Sequence, residues 1–240
     1  MYYRPLVLLL LVLPALVSCG SHTPYITTTG TLPPNAIMTV EAVHAEINAY
    51  KPAQGEPADQ FTVSATALGP NLPPPPTIRH AGNGIVVNAG APLRNLLVRV
   101  PKNVNLNVDS QRGDVDITEI SGNADVHAGV GSIDIMIAGY AQASVKSGEV
   151  AVTMGSTSWP GVLEFRNGNG DIEVWVTETA KFRVHLHTDD GMLFTDFPLR
   201  GSSSGTSETI NGVVNGGAAR AIDIRVKRGD IRLLSLHPEA

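Results

Sequence analysis

The stretch Gly113-Asp114-Val115-Asp116-Ile117 sets the architecture of this chain, because it returns four times with its glycine and its two aliphatic positions in place. The further copies are Gly131-Ser132-Ile133-Asp134-Ile135, Gly148-Glu149-Val150-Ala151-Val152, Gly170-Asp171-Ile172-Glu173-Val174 and Gly229-Asp230-Ile231-Arg232-Leu233, with weaker copies beginning at Gly191 and Gly212. A period of roughly 17–22 residues indicates stacked units that cannot bury their apolar faces alone. The sequence therefore predicts a repeat architecture.

A second strand lies before the glycine phrase in most of these units. Its apolar residues alternate with polar ones, the period of a β-strand: Ala124 and Val126, Ala143 and Val145, Leu163 and Phe165, Phe182, Val184 and Leu186, and Ile222, Ile224 and Val226. Stacked two-strand units place equivalent strands about 4.8 Å apart. We therefore expect one inner column made of Val115, Ile133, Val150, Ile172 and Ile231, with the glycines at the corner between the two strands.

The chain ahead of the clearest repeats also alternates with period two, which indicates more strands. The apolar positions are Met38, Val40 and Ala42, then Ala45 and Ile47, then Phe61, Val63 and Ala65, then Ile85 to Val87, and finally Leu96, Val98 and Val100. The run Pro73-Pro74-Pro75-Pro76 lacks backbone donors and is predicted to be a loop. We interpret residues 201–209 as an insertion and expect a distorted rung or a loop at Gly212.

The predicted fold class is all-β, with a single-domain β-solenoid or β-helix-like stack of short two-strand rungs. A β-sandwich built from hairpins is the alternative, since it would show the same alternation. The repeats are clearest over residues 96–236, within a domain predicted to span residues 36–237.

The first residues are typical of an exported protein. Arg4 precedes the apolar run from Leu6 to Leu13, which is too short to span a membrane and suits a signal peptide. The small residues before Cys19 resemble a bacterial lipobox, so residues 1–18 are predicted to be a lipoprotein signal peptide and Cys19 the site of lipid attachment, palmitate included. Gly20 fits sorting to the outer membrane if the host is Gram-negative. Residues 19–35, rich in threonine and proline, are predicted to be a flexible tether.

Composition excludes some classes of function. The formal net charge is -5 and the chain has no basic run, which argues against nucleic-acid binding. Cys19 is the only cysteine, so an exported chain forms no internal disulfide.

The stretch from Leu97 to Val108 and the following Ser110 to Ile117 carry a family resemblance. A strand of the form Val-x-Val-Pro followed by Ser-x-x-Gly-Asp-Val-x-Ile is similar to the DUF4097-type adhesin family of bacterial envelopes. The resemblance implies a β-solenoid-like domain over about residues 36–236 and a role in adhesion. It supplies no catalytic residues to carry over.

Several groups of residues resemble functional sites, but the repeat pattern explains their positions. The tripeptides Arg112-Gly113-Asp114 and Arg228-Gly229-Asp230 fall on corner positions. His185 and His187, with Asp189 and Asp190 nearby, are predicted to lie on a solvated strand face. An acidic ladder is expected on the outer surface, made of Asp114, Asp116, Asp134, Glu149, Asp171 and Glu173.

The predicted function is that of a non-enzymatic, lipid-anchored protein of the cell envelope, serving adhesion, scaffolding or envelope interaction. Its expected partners are the membrane, through the lipid, and envelope polymers or other proteins. No catalytic residue, cofactor or metal is predicted. The alternative is a carbohydrate-active β-helix enzyme, a polysaccharide lyase or hydrolase, using side chains such as Asp171, Glu173, Lys146 and Arg166.

Overall fold

The computed structural model describes residues 25–217 and 219–237. Its strands, in chain order, are β1 (Tyr25–Thr31), β2 (Ile37–Ala42), β3 (Glu46–Tyr50), β4 (Gln60–Ala67), β5 (Thr77–Ala81), β6 (Gly84–Ala89), β7 (Leu93–Arg99), β8 (Asn105–Arg112), β9 (Val115–Ile120), β10 (Ala124–Val130), β11 (Ile133–Ile137), β12 (Ala141–Ser147), β13 (Val150–Met154), β14 (Val162–Asn167), β15 (Ile172–Thr177), β16 (Phe182–Asp190), β17 (Leu193–Thr195), β18 (Gly201–Ser204), β19 (Ser207–Val214), β20 (Ala221–Arg228) and β21 (Ile231–Leu236).

These strands form two sheets that enclose one core. The ten-stranded sheet has the order β1-β4-β7-β3-β9-β11-β13-β15-β21-β17, and the eleven-stranded sheet has the order β18-β19-β16-β20-β14-β12-β10-β8-β2-β6-β5. Inward side chains of both sheets belong to a single buried hydrophobic cluster. Alternate residues point to opposite faces of a strand, so the remaining side chains cover two outer faces.

Each rung contributes one strand to each sheet, and equivalent strands pair in parallel. Ile133 lies opposite Val115 on one side and Val150 on the other, and Ile172 lies between Val150 and Ile231. The predicted inner column is therefore confirmed. Parallel pairing between rungs identifies the fold as a β-solenoid of two-strand rungs, and the hairpin-built sandwich is wrong for the body of the stack.

The spatial order of the rungs departs from the chain order near both ends. The last rung of the chain, β20/β21, is inserted between β14/β15 and β16/β17. At the other end, β2/β3 lies between β8/β9 and β6/β7. The terminal rungs are thus β6/β7 at one end and β16/β17 at the other. Each of them packs against a rung whose strands do not directly precede or follow its own in the sequence.

Antiparallel strands cover the outermost rungs. β4 and β1 extend the ten-stranded sheet beyond β7, and β5 lies beside β6. At the far end, β19 and β18 form a hairpin on β16. Residues 201–209 are accordingly part of an insertion, but the expectation at Gly212 is wrong. That residue lies within the regular strand β19, opposite Val184.

The predicted tether over residues 19–35 is wrong from Tyr25 onward. Residues 25–31 form β1, in which Tyr25 pairs with Thr66 and Thr28 is buried. The ordered domain therefore begins at least eleven residues before the predicted boundary at position 36. The predicted signal peptide, Cys19 and residues 20–24 lie outside the described residues.

The corner glycines form a column along the stack. Gly131 has a φ of +138°, and a Cβ there would lie 2.3 Å from the carbonyl oxygen of Gly113 in the neighbouring rung. The same close approach recurs from rung to rung up to Gly191, which contacts Gly229 rather than its neighbour in sequence. A side chain is excluded both by the backbone conformation and by the next rung.

Candidate interaction surfaces

Cys19, the predicted lipid site, lies outside the described residues, so its chemistry stays a prediction. Across residues 25–217 and 219–237, no helix is long and apolar enough to cross a membrane. The candidate surfaces considered below all belong to the solenoid body.

The polar residue after most corner glycines has a structural role that the repeat pattern did not predict. The Asp114 carboxylate accepts a hydrogen bond from the Ser132 backbone N–H at 2.8 Å, and Asp230 accepts one from Met192 at 2.9 Å. Both are the aspartates of the Arg-Gly-Asp tripeptides. Because these carboxylates cap the next rung, and the glycine between arginine and aspartate packs against backbone, the tripeptides serve the corner.

His185 and His187 lie on the outer face of β16, as predicted, with their rings stacked at a centroid distance of 6.3 Å. The His185 ring bonds Asn211, and the His187 ring bonds Thr209 and Asp189. Within the part of the chain that the structure describes, no three His, Cys, Asp or Glu side chains form a metal-binding group.

The predicted acidic ladder is divided between two places. Asp116 and Asp134 are cross-strand neighbours on the outer face of the ten-stranded sheet, with Glu173 two strands beyond Asp134. The others stand at the glycine corner. Partial burial, and then the charge of Asp116, raise the pKa of Asp134. The neighbouring Asp116 carboxylate therefore disfavours ionisation of Asp134.

The side chains suggested for a carbohydrate-active enzyme do not converge. Arg166 lies on the eleven-stranded sheet and bonds Asp223 at 2.8 Å, whereas Glu173 lies on the opposite sheet and accepts a hydrogen bond from the Trp175 indole at 2.7 Å. Burial alone would raise the pKa of Asp223, but hydrogen bonds and charge from Arg166 and Arg225 outweigh it and lower that pKa. Arg166 and Glu173 thus bond different partners on opposite faces of the solenoid and do not form a shared site.

A shallow open groove with a volume of about 920 Å³ lies on the eleven-stranded sheet. It crosses five neighbouring strands, in the order β6, β2, β8, β10 and β12. Its polar lining consists mainly of Asn88, Glu41, Asp109, His127, Ser144 and Lys146. We call this feature the rung groove. Val43 and Val130, which are exposed, add apolar surface to it.

Three side chains beside the rung groove form a connected chain. The Ser144 hydroxyl lies 2.6 Å from His127 Nδ1, and His127 Nε2 lies 3.3 Å from Asp125 Oδ1. A hydroxyl, an imidazole and a carboxylate in this order can activate a nucleophile. However, β10 and β12 are interior strands paired on both sides, so their N–H groups serve the ladder and do not form an oxyanion hole.

A simple signal in the sequence could have located the row of polar side chains that crosses β8, β10 and β12. Asp109, His127 and Ser144 each stand four residues before a corner glycine. They are cross-strand partners, with His127 opposite Asp109 and Ser144. Counting back from each glycine would therefore have predicted which polar residues meet on the outer face. Their hydrogen bonds depend on rotamers that the repeat does not specify.

Comparisons with known proteins agree with this architecture. A comparison with curated proteins gave no match. The chain is similar to a crystal structure described as a candidate cell adhesion protein from Clostridium sporogenes ATCC 15579, at 8% identity and a TM-score of 0.50, over 88% of this chain and 99% of that one. A candidate adhesin from Bacteroides fragilis NCTC 9343 aligns over 87% and 96% at 10% identity, with a TM-score of 0.34.

At such low identity, the Clostridium likeness indicates a shared fold and nothing about ligands. The family assignment comes from a model of the sequence family, described as Toastrack DUF4097. It matches residues 100–234, which is more than half of the chain and contains every strong copy of the glycine phrase. The protein therefore belongs to the DUF4097 (Toastrack) family.

Proposed function

We propose that this protein is a non-enzymatic adhesion or scaffolding module of the bacterial cell envelope, anchored by lipid on Cys19. The observation that carries the proposal is the form of the outer surface. The inward residues form one buried core, so a partner meets the outer faces of the two sheets, and the rung groove lies on one of them. A rigid stack with a contact surface spread over several rungs suits an extended ligand.

The rung groove is the part of this surface best suited to polymer binding. Its five strands span about 19 Å at the usual strand spacing. Along it, carboxylates of Glu41 and Asp109 are followed by His127, Ser144 and the ammonium group of Lys146. Such a series of donors and acceptors can bond a hydroxyl-rich or amide-rich polymer at successive points. The description of the similar Clostridium sporogenes structure as a candidate cell adhesion protein supports a role in adhesion.

Binding of the purified protein to isolated peptidoglycan sacculi and to envelope fragments of the host tests the function. A variant carrying Asp109→Ala, His127→Ala and Lys146→Ala is expected to bind at least about tenfold more weakly, since three polar contacts of roughly 0.5–1.5 kcal/mol each are removed. Equal binding by both proteins would exclude the rung groove as the contact surface.

A matched control carries three alanines on the opposite sheet, at Asn48, Thr118 and Thr153, and should bind as the wild type does. Chemical change of the polymer during the assay would contradict the non-enzymatic assignment. Metabolic labelling with an alkyne fatty acid tests the anchor, and Cys19→Ala must abolish both the label and membrane retention.

A further inference from the structure

The loop between β4 and β5 has an unusual composition for an exposed segment. Residues 68–76, here called the proline loop, read Leu-Gly-Pro-Asn-Leu-Pro-Pro-Pro-Pro and contain neither an acidic nor a basic side chain. Leu68 is 49% exposed and Leu72 is 66% exposed, the latter being the most exposed large apolar residue of the described chain. Two large apolar side chains exposed in one short, uncharged loop make it a candidate contact surface.

The proline loop lies beside the start of β1. Tyr25, which is 49% exposed, pairs with Thr66, and the next residue, Ala67, pairs with Leu93. Leu93 in turn lines a small cavity together with Pro74, Pro75 and Pro76. Tyr25 and the proline loop therefore occupy the same corner, at the end of the stack where the described chain begins.

The length of chain before β1 limits how far this corner can stand from the lipid. Five residues separate Cys19 from Tyr25, so a fully extended connection spans at most about 21 Å. Because β1 begins at Tyr25, within the predicted tether, a lipid on Cys19 would hold this corner close to the membrane surface.

The chemistry of the corner fits the polar–apolar boundary of a bilayer. Tyrosine prefers this boundary because its ring is apolar and its hydroxyl is polar. Five of the nine residues of the proline loop are prolines, which have no N–H group to lose its hydrogen bond to water. Arg94, exposed at the bulge opposite Thr66 and Ala67, adds a positive charge that anionic lipid headgroups attract.

We propose that Tyr25 and the proline loop form a membrane-contact surface that docks this end of the solenoid on the bilayer. This inference rests on the proposed lipid anchor and adds an orientation to it. The ten-stranded sheet then leads away from the membrane over about 43 Å, from β1 to β17. The rung groove begins at β6, near the docked corner, and runs in the same direction.

The test uses the lipidated protein in vesicles of phosphatidylethanolamine and phosphatidylglycerol. Because Cys19 is the only natural cysteine and its thiol is blocked by the lipid, a single introduced cysteine can be labelled with an environment-sensitive dye. Leu72→Cys places the dye in the proline loop. The matched control is Ser203→Cys, also exposed, in β18 at the far end of the eleven-stranded sheet.

With nitroxide-labelled lipid, the dye at position 72 is expected to lose at least about half of its emission, because a docked loop reaches the headgroup–acyl boundary. The dye at position 203 should lose almost none. Adding Leu68→Glu to the Leu72→Cys protein should restore most of the emission, since a carboxylate is costly at that depth.

Equal quenching at the two positions, with fatty acid present on Cys19, would overturn the docking surface and leave the anchor intact. Absence of fatty acid from Cys19 would instead contradict the anchor, and the alkyne label reports this separately. A dye at position 72 that shifts to the blue without being quenched, together with a doubled particle mass, would assign the corner to self-association and refute membrane contact.

Discussion

Gly148→Ala measures what the corner column contributes to stability. The Cβ would lie 2.0 Å from the carbonyl oxygen of Gly131, and the φ of +145° is one that alanine rarely adopts. The backbone conformation costs about 1–3 kcal/mol. Relieving the overlap also requires the two rungs to separate by about 1.5 Å, the shortfall from an ordinary contact.

That separation stretches the two hydrogen bonds on either side of the corner, from Gly131 to Ser147 and from Ile133 to Glu149. Each is worth about 1 kcal/mol net. The sum is about 3–5 kcal/mol, a large part of the stability of a domain. The assay is equilibrium unfolding in urea, followed by circular dichroism and fluorescence.

Gly205→Ala is the matched control, because Gly205 also has a positive φ, of +65°, but a Cβ there meets no atom within 4 Å. It should lose about 1–2 kcal/mol from backbone conformation alone. A Gly148→Ala protein that is no less stable than Gly205→Ala would show that the contact between rungs contributes nothing to stability.

Two further predictions concern pH and use the same unfolding assay between pH 3 and pH 7 (roughly the range over which carboxylates titrate). Asp223→Asn should destabilise the protein by about 1 kcal/mol at neutral pH. Because the pKa of Asp223 is lowered in the folded protein, its contribution to stability is present above the ordinary pKa of 3.8 and is lost as the pH falls through the folded-state pKa. A stability difference between wild type and Asp223→Asn that does not shrink in acid would contradict this. Asp134→Asn should instead stabilise at neutral pH, by less than about 1 kcal/mol, because the raised pKa of Asp134 marks an ionised form that the fold disfavours. That gain should vanish below pH 3.8, and a gain that persists there would have another cause.

The inner column could be predicted because its information is local to each repeat. Val150 and Ile172 occupy the same position after a corner glycine, so a fixed period aligns them whatever connects the rungs. The same period placed Ile231 in this column, and the structure sets it directly opposite Ile172. The intervening copy, at Gly191, is weak. That weakness has a physical counterpart, since β17 is only three residues long and lies at the end of its sheet.

Strands without repeat neighbours were harder to predict. β1 has a single fully buried residue, Thr28, and its partner β4 begins about thirty residues later, so its threonines were attributed to a tether. Gly212 shares the spacing of a corner glycine but pairs in an antiparallel hairpin. The groove residues Asp109, His127 and Ser144 share a fixed offset from the corner glycines, so their alignment follows from the repeat, whereas their hydrogen bonds depend on side-chain rotamers.

The inserted rung β20/β21 has a consequence for how the stack is assembled and taken apart. Both neighbours of β21, which are β15 and β17, precede it in the chain. Its residue Ile231 pairs with Ile172, 59 residues earlier. The rungs β14/β15 and β16/β17 therefore cannot be joined until β20 and β21 have been synthesised. This closure has a high contact order and is expected to be slow. Once the stack is closed, neither the C-terminal rung nor β2/β3 can peel away alone, because each is held between two others. Unfolding must begin in the capping strands, or break two interfaces together.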